Sequence, residues 1–355
     1  MKILVDMVHL ADVNFYKNAL NRLKLYHDII ITVVDRGNLV PIVQKEYPGF
    51  KVVKLGKHRK GKIGKLFGLI DREFRFAILF LKNRPDVVSS FGFYPAIMAK
   101  LFGIPAILFH DDYEYRFMFN MCKTFATTFH IPDSIRSKMA EDLGAAFQYK
   151  EQTKSFRNIN FYNGFKETAY LKDFVPDEDC LKRRGLVGKP FVFCRDISSI
   201  SLNYQEFKNV DLTSTFKWLK NKGFTVLYYP ETEDNSYIGL CVKLSGAIPD
   251  ILSLQYYANL TITSGDTIAR ESALLGTPVI YIGGRNMAVN QPLLDIGVIK
   301  ETKEEQVIQE YMQIMSQEHY KAKMKSRIKA TNWDDITQLI VDALEQPEKE
   351  KKEQL

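Results

Sequence analysis

Apolar residues along this chain fall into short runs, separated by longer stretches in which apolar positions return every three or four residues. The runs lie at 3–5, 29–34, 51–55, 86–89, 106–109 and 127–131 in the first half. Each is the length of a strand. The stretches at 13–25 and 63–82 have the period of amphipathic helices. The second half repeats the pattern, with runs at 191–194, 225–229, 260–263 and 279–282 and helical stretches at 207–222 and 267–275. Strands alternating with helices predict parallel sheets covered on both faces. The halves share an architecture and no short-period sequence repeat.

Turn signals place the boundary between the halves at 158–176. Asn163-Gly164 marks a turn, and Phe174-Val-Pro-Asp177 sets a proline ahead of an acidic helix start. The division this predicts is 1–165 and 166–330. A final helix at 333–345 follows. A Glu/Lys-rich tail, 346–355, reads as a solvated, disordered end.

The 355 residues are 46% hydrophobic and 26% charged, the balance of a soluble protein of two ordinary domains. No apolar run approaches the roughly 20 residues of a membrane span. The chain opens directly on a strand without a signal-peptide core. Cytoplasmic residence is the expectation. Cys122, Cys180, Cys194 and Cys241 are far apart, and the six histidines form no His-x-x-x-His pair. Neither a disulfide framework nor a metal site is expected.

The formal charge of +7 is uneven, with six Lys or Arg and no acid in residues 54–65. The helical stretch beyond carries Ile63, Leu66, Phe67, Leu69 and Ile70 among Lys62, Lys65, Arg72 and Arg75. It reads as a basic amphipathic helix able to lie on an anionic membrane surface through 57–76. The other reading is a core-packed helix with a solvated basic face. No nucleic-acid motif accompanies the charge, so no nucleic-acid partner is expected.

Residues 259–282 carry the clearest chemical signal. They read strand, tight turn, short helix, Gly-Thr-Pro break, strand. Ser264-Gly265-Asp266 sits where the first strand hands over to the helix, and free N–H groups and the helix dipole there favour a phosphate. Glu271 lies two turns along and is suited to hydrogen-bond a ribose. An ordinary βαβ unit with a capped helix fits the same spacing.

Several motifs, from Met1-Lys-Ile-Leu-Val-Asp6 onward, carry a family resemblance. The others are Gly56-Lys57-His58, Pro85-Asp86-Val87, Gly103-Ile-Pro105, Phe109-His-Asp-Asp112, Gly164-Phe-Lys-Glu-Thr-Ala-Tyr-Leu171 and Ala269-Arg-Glu-Ser-Ala-Leu-Leu-Gly-Thr-Pro278. Over residues 1 to about 300 the chain resembles domain of unknown function 354, grouped with the GT-B glycosyltransferases and the hydrolysing UDP-N-acetylglucosamine 2-epimerases. The resemblance implies two Rossmann-like parallel-sheet domains facing a central cleft, an α/β fold of GT-B type. The first would be the acceptor side and the second the donor side, with the last helix crossing back to the first.

The activity implied is metal-independent, cofactor-free transfer from a nucleotide-sugar, with a UDP-linked donor expected. The acceptor would be a glycan or lipid-linked molecule in surface polysaccharide or glycolipid synthesis, and the protein peripheral on the inner face of the cell membrane. Asp12 or His9 would be the base, since the family places its titratable residue in this loop. An N-cap is the other reading of Asp12. Asp111, Asp112 and Glu114 would face acceptor or leaving group, beside Gly92, Lys57 and His58. Arg195, Ser198, Ser199, Ser264, Gly265, Asp266, Thr267, Arg270 and Glu271 would bind the donor.

The chain also departs from its relatives. His9-Leu-Ala-Asp12 stands where they carry Asn-Pro-Pro-His, and Pro230-Glu231 where they carry Pro-Arg. Phe93 follows Gly92 where hydrolysing epimerases have a catalytic Asp, and the loop at 194–199 lacks their His. The alternatives are thus a nucleotide-sugar 2-epimerase or hydrolase, and a non-catalytic nucleotide-sugar binding protein.

Overall fold

A computed structural model describes residues 1–57, 61–152, 156–196, 210–232, 234, 236–246 and 248–353. His58, Ser198 and Ser199 lie outside these. The chain forms two compact units. One comprises Met1–Lys172, Met287–Val289 and Trp333–Leu355, and the other Asp173–Asn286 and Asn290–Asn332.

The first unit is built on β1 (Lys2–Met7), β2 (Asp28–Asp35), β3 (Lys51–Lys57), β4 (Val87–Ser90), β5 (Ala106–Phe109), β6 (Thr128–Pro132) and β7 (Ile159–Tyr162). All pair in parallel, in the order β3-β2-β1-β4-β5-β6-β7. The apolar runs seen in sequence are β1 to β6, five central strands and the β3 edge. Ile3, Val5, Ile31 and Val33 face one core, and Leu4, Ile30, Val88 and Leu108 face the other. A parallel sheet buried on both faces demands such uninterrupted apolar runs.

The second unit holds β8 (Phe191–Asp196), β9 (Thr225–Pro230), β10 (Val242–Lys243), β11 (Leu260–Thr263), β12 (Val279–Tyr281) and β13 (Ile299–Glu301). Their order is β10-β9-β8-β11-β12-β13, again all parallel. Each sheet therefore reverses its strand order once, between β1 and β4 and between β8 and β11. Ligands of doubly wound sheets bind beyond the strand ends at such a reversal.

Three elements differ from the sequence reading. The Thr168–Leu171 helix belongs to the first unit, where the Ala169 carbonyl accepts from Asn18 at 3.0 Å and from Thr337 at 2.7 Å. The chain thus changes units at Lys172–Asp173, inside the 158–176 span of turn signals and seven residues past the 165/166 division. The last helix, Ile336–Glu353, continues through the tail expected to be disordered and carries Pro347 in its interior. It buries Ile336, Ile340 and Leu344 in the first unit's core. Arg72, read as part of a basic surface face, is buried. Its guanidinium meets both Asp6 oxygens at 2.7 and 2.9 Å, and Thr32 donates to the same carboxylate at 2.7 Å. Gly56 makes room for it: a Cβ there would stand 2.6 Å from Arg72 Cγ.

Candidate functional site

In the first unit the β1 strand ends in the loop that starts the Leu10–Leu23 helix. Asp12 sits in that helix's first turn and is buried. One carboxylate oxygen, Oδ2, accepts the backbone N–H of Val8 at 2.8 Å and of His9 at 2.9 Å. The carboxylate thus closes the loop at the strand–helix junction, which is helix capping in reverse. Burial pushes its pKa from 3.8 up to about 7, against the pull of those two N–H groups and of the Lys166 charge. His9 is exposed, and Arg36 donates to its Nδ1 at 3.0 Å.

Lys166 follows β7, inside the Gly164-Phe-Lys-Glu motif, and carries no role in the sequence reading. Its ammonium lies 2.8 Å from Asp111, 4.0 Å from the buried Glu167 and 5.1 Å from the centre of the Phe91 ring. Asp111, itself buried, is thus held by a buried cation. Asp112 instead accepts the Tyr115 N–H at 3.1 Å and shapes its own loop. Glu114 accepts the Ala288 N–H at 2.9 Å, from the short Met287–Val289 segment that packs with this unit. Gly92 lies in the loop after β4, with the Tyr94 ring 3.5 Å from where a Cβ would be. Lys57 is exposed at the end of β3.

The first unit therefore gathers Asp12, Asp111 and Lys166, the last entering Asp12's electrostatics directly. His110 is buried between Phe91 and Phe119, and burial depresses its pKa.

In the second unit β11 ends in the Ser264-Gly265 turn, and the Asp266–Leu274 helix begins at once. Thr263 Oγ1 accepts the Gly265 N–H at 2.9 Å, and Ser264 donates to Asp196 at 2.7 Å. Asp266 is engaged by the Tyr281 hydroxyl and by Arg285 at 2.7 Å. Gly283 lets the following turn approach: a Cβ there would stand 2.4 Å from the Ser264 carbonyl oxygen. Thr267 is half-buried, and the fully buried Arg270 donates to Asn290 at 3.3 Å. Arg195, at the end of β8, donates to the Tyr229 carbonyl at 3.0 Å and lies 4.3 Å from that residue's ring centre. Glu231 adds a negative charge to its surroundings.

Glu271 is buried, and the Gln255 amide donates to it at 3.1 Å. Ser272 donates to the Gln255 carbonyl oxygen at 2.9 Å, so the amide's orientation is fixed at both ends. Gln255 is the second residue that the sequence reading missed. It lies 16 positions from Glu271 on a separate helix, and no local pattern announces the pair.

The family described as "Protein of unknown function (DUF354)" matches residues 1–348. No curated protein matches the chain. Solved structures match over nearly its full length. A co-structure of S. aureus MnaA with UDP has a TM-score of 0.70 at 12% identity, covering 97% of this chain and 96% of that one. The UDP-GlcNAc 2-epimerase from Neisseria meningitidis, bound to UDP-GlcNAc, gives 0.66 at 11%, covering 98% and 100%. Acinetobacter baumannii MurG gives 0.60 at 13%, covering 98% and 100%. At such identities the likeness is one of fold: two Rossmann-like units of the GT-B type.

Proposed function

The chain belongs to the family of unknown function DUF354, and from its two sheet-reversal sites we propose that it transfers a sugar from a nucleotide-sugar, with UDP as the nucleotide. The observation that carries this reading is the β11 turn. An uncapped helix N-terminus follows it directly, and a carboxylate oriented by Gln255 lies two helical turns on. The N–H groups of the helix's first turn, from Asp266 on, suit the diphosphate. Glu271 would accept the ribose hydroxyls, and Arg195 would add positive charge near the leaving diphosphate. Ser198 and Ser199 complete the proposed phosphate contacts. Asp266 and Arg270 are already engaged within the unit, so their part is to hold the turn.

The acceptor would be a glycan or lipid-linked alcohol on the first unit's side, at the inner face of the cell membrane. Asp12 would take the hydroxyl proton as the new glycosidic bond forms. The bond from the sugar to the diphosphate breaks, and the electron pair leaves with the diphosphate. A carboxyl titrating near 7 suits a general base at neutral pH. No metal ion is required in this scheme. Lys57, His58, Gly92, Asp111, Asp112 and Glu114 would shape the acceptor side.

The likeness in fold to UDP-GlcNAc 2-epimerases favours a second reading, in which the nucleotide-sugar is epimerised or hydrolysed. The two readings part on one experiment. UDP-sugars are incubated with and without lipid-linked or glycan acceptors while free UDP is measured. Transfer predicts UDP release that depends on acceptor. Release without acceptor supports hydrolysis, and thermal stabilisation without turnover supports a binding protein.

A further inference from the structure

The Lys62–Asn83 helix is apolar on two opposite faces. One face meets the core through Leu69, Phe76, Leu79 and Phe80. The other exposes Phe67 by 58%, Ile70 by 57%, Phe74 by 68%, Ile78 by 40% and Leu81 by 65%. At about 100° per residue these five fall within an arc of roughly 80°, turned away from the core. From Phe67 to Leu81, at about 1.5 Å per residue, the stripe runs roughly 21 Å. Scattered exposed apolar residues are ordinary, whereas a continuous stripe of this length marks a surface that something covers.

Charge indicates what covers it. Residues 54–84 hold ten Lys or Arg against two Asp or Glu, a formal excess of eight, while the whole chain carries +7. The rest of the molecule is therefore close to neutral. Of the ten, Arg72 is buried on Asp6, Lys54 pairs with Asp35 and Arg75 with Asp71. Lys82 and Arg84 are exposed at the end of the stripe, and Lys57 at the strand that leads to the helix. Apolar side chains flanked by exposed cations such as Lys82 and Arg84 match a bilayer's acyl boundary and its anionic headgroups. A second copy of this chain would bring like charge against like charge. Among the described residues no helix is long and apolar enough to cross a membrane. The geometry points to a docking surface on which the Lys62–Asn83 helix lies in the plane of an anionic bilayer, with Phe67, Ile70, Phe74, Ile78 and Leu81 inserted.

This surface rests on the exposed stripe and not on the proposed transfer. If transfer holds, it would bring the first unit to a lipid-borne acceptor. The test is co-sedimentation of the full chain with vesicles of phosphatidylcholine alone and of phosphatidylcholine with 30% phosphatidylglycerol (about 100 nm across), as no donor or turnover is needed. Binding is expected to the anionic vesicles, at least tenfold weaker in Phe74→Glu/Ile78→Glu and several-fold weaker in 0.5 M salt. Lys82→Glu/Arg84→Glu leaves the apolar stripe intact and is expected to lose binding to anionic vesicles too. Both pairs are solvent-exposed, so the thermal midpoint should hold. Absence of binding by the unmodified chain overturns the proposal, as does binding indifferent to both pairs. So does a concentration-dependent dimer that Phe74→Glu/Ile78→Glu dissociates without any vesicle binding, which assigns the stripe to a second copy.

Discussion

A single oxygen of Asp12 closes the loop after β1 by accepting two N–H groups. Asparagine keeps an oxygen able to accept both, so Asp12→Asn separates the loop's geometry from its charge. Turnover should fall roughly 10²–10⁴-fold, the usual contribution of a general base. Stability should respond to pH. The folded pKa of about 7 lies above the reference 3.8. The proton therefore stabilises the fold fully below about pH 4, and that contribution is lost as pH rises through about 7. Asp12→Asn should flatten this part of the profile, by at most on the order of 4 kcal/mol. Urea unfolding of both proteins at pH 4.5 and pH 8 measures it; parallel profiles would mean that Asp12 is not held protonated.

Lys166 forms a buried ion pair with Asp111 at 2.8 Å. Lys166→Met should break this buried ion pair and cost about 3–5 kcal/mol. Asp111→Asn in the same chain should restore much of it, and the double-mutant cycle by urea unfolding checks the coupling. Losing this cation also raises Asp12 further, so the acidic limb of a pH–rate profile should move to higher pH. Neither residue could be paired from sequence, because 55 positions separate them and only the sheet order brings β5 and β7 into reach of one another.

Elements with an apolar surplus were legible, and short or half-polar ones were not. The central strands announce themselves as uninterrupted runs because both faces are buried. β7, β10 and β13 are sheet edges of two to four residues, where Asn160, Lys243 and Lys300 interrupt any pattern. The Lys62–Asn83 helix was visible as an element. Its direction was not, because both faces carry large apolar residues and Arg72 turns inward to Asp6, 66 residues away. The final helix is tied to the first unit by residues that its own period exposes to view. Ile340 is fully buried there. Ile340→Ala should cost about 2–5 kcal/mol. Hydrogen exchange should show that loss in β1, β2 and the Leu10–Leu23 helix and leave β8 to β13 unchanged. A loss shared equally by both units would contradict the division.

At the scale of the molecule, the two sheets share one connection order, and the sequence motifs cluster after the strands that flank each reversal. Asp12 follows β1, Gly92 follows β4, Arg195 ends β8 and Ser264 follows β11. The placement of these residues at strand ends was legible for that reason, since a strand-to-helix turn can be read locally. Their support was not, because Lys166 and Gln255 come from other elements. The central claim is that the β11 turn and Glu271 hold a nucleotide. Calorimetric titration of UDP into the unmodified chain and into Glu271→Gln tests it most directly. The account predicts saturable binding, weakened in the variant by roughly 1–3 kcal/mol, with thermal stability of the unliganded second unit nearly unchanged. Equal affinity in the two proteins, or no heat of binding in the unmodified chain, would contradict it.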